Sequence, residues 1–149
     1  MDLSLFLAVL HLVTFGLGAA SCWARARALA RLRGNEGLRD VFFADNLWGL
    51  AAILWIGTGL WRAFGGTEKG TDFYLHDTAF LVKMALFLVV FMLEIRPMVT
   101  LIRWRLRIAK GLPIDFSSSP MLAQITYVQL VLLIPIVVMA AAVARGIWY

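Results

Sequence analysis

Four stretches of this 149-residue chain run for twenty or more residues with little interruption by charge, and no other feature restricts its fold so severely. They are Leu3–Trp23, Val41–Phe64, Thr78–Ile102 and Met121–Trp148. A helix of about 20 apolar residues crosses the ~30 Å hydrocarbon core of a bilayer and satisfies its own backbone hydrogen bonds there. The runs are continuously apolar rather than alternating, and too long for barrel strands of about 10 residues. They leave no room for a soluble domain. The expectation is therefore an all-α fold, one integral membrane four-helix bundle covering residues 1–149. Composition agrees: 62% of residues are apolar, against roughly 45–50% in soluble domains.

The charged residues set an orientation. Arg25, Arg27, Arg31 and Arg33 follow the first span, and Arg103, Arg105, Arg107 and Lys110 follow the third, so both segments are expected on the cytoplasmic side. Residues 65–77 carry one Lys against Glu68, Asp72 and Asp77, and the N-terminal end carries Asp2 without a basic residue. Both termini are expected on the outer side. The net charge of +5 is then a topology signal, and no nucleic-acid partner is implied. Ala19-Ala20-Ser21-Cys22 resembles a signal-peptide cleavage site, but the preceding region lacks a positive charge and His11 interrupts its apolar core, so the first span is expected to be retained. Cys22 is the single cysteine, which excludes an intramolecular disulfide.

The first basic segment contains no Pro, so it either extends the first helix or lies along the interface, with the break at Gly34–Gly37. Asp77 and Ser119 are expected to cap the third and fourth spans. The Trp residues mostly lie near span ends, as an interfacial belt requires, with Trp48 and Trp55 deeper.

Ionisable groups within a bilayer are costly, and they mark the first places to look for function. They are His11, Asp45, Arg62, Lys83, Glu94 and Arg96, with Gln129 as a neutral companion. His11 lies about 12 Å and Lys83 about 8 Å from the outer ends of their spans, so the two share the outer leaflet. A plain histidine hydrogen bond and a lysine snorkelling to the interface are the structural alternatives. Arg62 reads either as an interfacial anchor or as an anion contact. Asp45 and Glu94 lie toward the cytoplasmic end, where pairing with Arg39 or Arg96 would neutralise them. Asp45, Gly49, Ala52, Ile56 and Gly59 form a helical stripe of mostly small residues that allows close packing or a homodimer contact. His76 reads as an exposed loop histidine. Pro97 and Pro135 can kink their helices. There is no phosphate loop, zinc-binding histidine pair or nucleophile elbow.

Trp61-Arg62-Ala63-Phe64-Gly65-Gly66, Lys69-Gly70, Phe73-Tyr74-Leu75-His76-Asp77, Lys83, Phe87, Pro97 and Arg103-Trp104-Arg105 resemble the pattern of a bacterial family of four-span membrane proteins without an assigned activity. The layout is also distantly similar to the HemJ-type protoporphyrinogen oxidase family. There Leu10-His11 would match a first-span histidine and Val82-Lys83-Met84-Ala85-Leu86 a third-span lysine motif. That resemblance implies a b-type heme ligated by His11, with Lys83 and Arg62 near substrate or propionates. The fourth span departs from the pattern, with Tyr127-Val128-Gln129 and Pro135 where that family carries an acidic residue and proline.

Two functions are thus expected. One is a heme- or tetrapyrrole-associated redox protein of the bacterial inner membrane, with Lys83 catalytic and Asp45, Glu94 and Gln129 as structural or proton-relay groups. The other is a non-enzymatic membrane component, either a small permease or a helix-packing subunit.

Overall fold

The computed structural model describes residues 2–66 and 69–147. Glu68, counted above among the acidic residues of its connection, and Trp148, the end of the fourth expected span, lie outside them. The described chain is helical: α1 (Leu3–Arg31), a 3-10 turn at Asn35–Gly37, α2 (Leu38–Phe64), α3 (Thr71–His76), α4 (Thr78–Ala109) and α5 (Ser119–Arg145). α1, α2, α4 and α5 are long and apolar enough to cross a membrane. The 3-10 turn and residues 110–118 connect helices at one end, here the basic end. The opposite end carries α3.

Helices overrun the apolar runs at the basic end. α1 continues to Arg31 and α4 to Ala109, because Arg, Ala and Leu are strong helix formers and no Gly or Pro interrupts them. At 1.5 Å per residue α4 is about 48 Å long, so about 18 Å of it exceeds the hydrocarbon core. Gly111, with φ +65°, follows the end of α4, and Gly146, with φ +65°, closes α5 through Ile147 N–H donating to the Ala142 carbonyl. Asp77 caps α4 as expected, its Oδ1 accepting from Phe80 N–H at 2.7 Å. Ser119 does not cap. It is the first residue of α5, buried, and its hydroxyl donates instead to the Leu29 carbonyl of α1. His76 is exposed, at the end of short α3 rather than in a loop.

The helices form a ring. α1 packs closely on both α2 and α5, and α5 on α4. α2 and α4 close the ring with little backbone approach, bridged by the Trp55–Phe87 rings and by Arg105 reaching Asp45. Of the two glycines in the small-residue stripe, Gly59 permits a tight approach: a Cβ there would lie 3.1 Å from His11 Cε1, whereas one at Gly49 would meet nothing within 4 Å. Leu12, Ile53, Val131 and Ile134 are all more than 60% exposed, so α1, α2 and α5 present apolar side chains outward, the surface a lipid solvent requires. Of the interfacial tryptophans, Trp23 and Trp61 are exposed near opposite ends, while Trp104 is buried against Phe116.

Candidate functional site

The strongest chemical feature is a charge cluster built from Arg25 of α1, Asp45 of α2, Glu94 and Arg105 of α4 and Gln129 of α5. Arg25 of α1 is fully buried. Its guanidinium holds Glu94 of α4 in a two-pronged bond, with Nη1 and Nη2 each donating at 2.7 Å. Nη1 also donates to Asp45 of α2 at 2.9 Å, and Nη2 to the Gln129 Oε1 of α5 at 3.2 Å. Gln129 Nε2 in turn donates to Glu94 Oε2 at 2.8 Å and to the Val90 carbonyl at 3.2 Å. Arg105, one layer nearer the basic end, donates to the other oxygen of Asp45 at 2.8 Å.

Two cations meet two carboxylates, so the formal charge balances, as a low-dielectric interior demands. Glu94 lies eight residues, about 12 Å, inside the last apolar residue of its run, Ile102. The carboxylates are reached only at the rim: each acidic side chain is 17% exposed, while Arg25 is 0% exposed. Arg25 Nε is buried with no hydrogen-bond partner, and its guanidinium carbon lies 5.7 Å from the centre of the Trp48 ring.

Asp45, Glu94 and Gln129 stand out in the sequence as polar groups within apolar spans, but Arg25, the residue that joins them, does not. Arg25 was counted with its basic neighbours as a topology signal, and Arg39 or Arg96 was expected to pair the acids. Helical phase holds the available clue. Cys22, Arg25, Ala26 and Leu29 recur at spacings of three and four and are all buried, whereas Arg27 and Arg31 fall on another face.

A second polar station lies toward the α3 end. His11 Nδ1 is 2.9 Å from Thr58 Oγ1, and the Thr58 hydroxyl donates to its own helix at the Leu54 carbonyl, 2.7 Å away. When the hydroxyl proton is given to that carbonyl, the ring donates through Nδ1–H and leaves Nε2 as the acceptor. The His11 ring stands 5.7 Å from Trp55, which stands 5.7 Å from Phe87. Lys83 lies one turn beyond Phe87 on α4, its Nζ 4.7 Å from the centre of the Phe80 ring. Arg62 occupies the last turn of α2, where a cation complements the helix dipole.

Phe15, Trp55 and Phe87 fill the level between the stations. The void beside them, bounded also by Thr14, Gly18 and Trp48, measures about 10 Å³, enough for at most one water. The heme that the distant resemblance implies does not fit this packing. His11 carries the Nδ1 hydrogen bond that suits an Nε2 ligand, but a macrocycle packed between it and the α4 face requires Trp55 and Phe87 to separate.

Four apolar helices closed around a buried charge cluster define a multi-pass membrane protein. More particularly, the chain belongs to the family described as "Predicted membrane protein (DUF2214)", whose model matches residues 3–147. No curated protein and no solved structure matches it.

Proposed function

We propose that this chain is a non-enzymatic membrane component of the small-permease kind, seated in a bacterial inner membrane with its basic end cytoplasmic, and that it passes protons between two polar stations. The observation that carries this reading is the alignment of titratable groups along one bundle interior. His11 sits toward one end and Asp45 with Glu94 toward the other, with an aromatic layer and a water-sized void between them. Fourteen residues of α1 separate His11 from Arg25, about 21 Å.

The cluster is built to tolerate a change of charge. Arg25 serves two carboxylates, so when Glu94 accepts a proton and its grip loosens, Asp45 still compensates the guanidinium. Neutral Glu94 then has a donor to offer to Gln129 Oε1.

The test is vesicles loaded with a pH-sensitive dye, under an imposed potential with potassium and valinomycin. The expected result is acidification or alkalinisation well above that of empty vesicles, strongly reduced in Glu94→Gln and in His11→Phe. Wild-type vesicles no leakier than empty ones would refute the reading.

A second reading, the tetrapyrrole-associated redox protein, draws on the hydrogen bond that fixes the His11 tautomer, since a ligating histidine ordinarily donates its other ring N–H to an acceptor. It requires the Trp55–Phe87 contact to open, with Lys83 and Arg62 then turned to propionates. A Soret band in protein expressed with ample heme, lost in His11→Ala, supports it; a colourless wild type rules it out.

A further inference from the structure

At the basic end a groove of about 410 Å³ runs between α1 and the start of α2, lined by Trp23, Arg27, Arg31, Leu32, Gly37 and Asp40. Its size is that of a small-molecule site rather than a packing defect. Arg27 and Arg31 stand one helical turn apart on the face of α1 turned away from the Arg25 cluster. Among the described residues neither makes a hydrogen bond or ion pair; the Arg27 guanidinium lies 4.7 Å from the centre of the Trp23 ring. A single carboxylate, Asp40, faces the two guanidiniums, so the groove is net positive. Trp23 is half-exposed where the apolar run of α1 ends, the level at which tryptophan meets a membrane interface. Leu32 adds an apolar wall.

We propose that this groove binds the phosphate headgroup of an anionic phospholipid. The guanidiniums would take the phosphate oxygens, a geometry that suits their fork of donors. The acyl chains would run down the apolar outer surface of α1 and α2. Placement at the end of an apolar run is the argument for a lipid over a soluble phosphate: basic pockets between spans at the membrane surface recognise such headgroups. This inference is independent of the proton path.

The test uses native mass spectrometry of the full chain from micelles doped with equal phosphatidylglycerol and phosphatidylcholine. Wild type is expected to retain phosphatidylglycerol selectively. Arg27→Gln/Arg31→Gln is expected to weaken that retention about 30-fold, at about fivefold per arginine. Arg33→Gln, a basic residue outside the groove lining, is expected to retain it. Ala28→Trp, at another residue of the groove wall, fills the groove and keeps every charge; it is expected to lose the lipid, and this covers the case in which the double variant does not fold. Equal retention of both lipids, an equal loss in Arg33→Gln, unchanged binding in Ala28→Trp, or displacement of the lipid by millimolar inorganic phosphate would each overturn the proposal.

Discussion

Arg25→Met removes the hub of the charge cluster and keeps a side chain of similar reach. In the native bundle Arg25 donates four hydrogen bonds, two to Glu94 and one each to Asp45 and Gln129. Without it Glu94 keeps only the Gln129 amide, and Asp45 keeps Arg105. Removing one partner of a buried ion pair costs about 3–5 kcal/mol, since a desolvated charge is left uncompensated. That is a ~150- to ~5,000-fold larger unfolding constant. Neutralising Glu94 as well should restore most of it: Arg25→Met/Glu94→Gln is predicted to fall within about 2 kcal/mol of wild type, because Asp45 keeps Arg105 and no charge is left stranded. Reversible unfolding in mixed micelles, followed by far-UV circular dichroism, measures both. A single variant costing under about 1 kcal/mol, or a double variant no more stable than the single one, would refute the reasoning.

Three further outcomes follow from local geometry. Gly59→Ala places a Cβ 3.1 Å from His11 Cε1, so the ring must give by a few tenths of an ångström against its Thr58 hydrogen bond; a changed His11 imidazole NMR signal is expected, against no change if the helices simply part. Cys22 is wholly buried, its thiol donating to the Thr126 carbonyl at 3.5 Å, so maleimide labelling in intact membranes is expected only after denaturation. In the connection between α4 and α5, the Ser117 amide and hydroxyl both donate to Asp115 and hold its carboxyl below the usual range, helped by the charge of Arg107. A lowered folded-state value means that the ordering of this turn is present above the ordinary carboxyl range and is lost as pH falls through the folded value. The protection factor of the Ser117 amide against exchange, taken relative to the intrinsic rate at each pH, should therefore fall at acid pH in wild type and be small at every pH in Asp115→Ala.

The spans were legible because hydropathy over twenty residues dominates any local preference. Their true ends were less so. α1 and α4 extend through arginine-rich segments whose helix propensity persists after the apolar signal has stopped. Asp45, Glu94 and Gln129 were recognisable one by one, since a bilayer makes each of them expensive. Their shared partner was not, because Arg25 stands in a run of similar arginines and only the tertiary arrangement separates the buried one from the exposed ones. His11 and Lys83 do lie toward the same end of the bundle, as depth along the helices implied. The room between them was not predictable, because the size of a cavity depends on the rotamers of Phe15, Trp55 and Phe87 and not on their spacing.

Proton flux through vesicles carrying paired variants tests the central claim most directly. If the aromatic layer is the barrier between two titratable stations, Phe87→Ala should raise the flux above wild type, and Glu94→Gln added to it should bring the flux back down. A flux indifferent to both changes, or equal to that of protein-free vesicles throughout, would contradict the account.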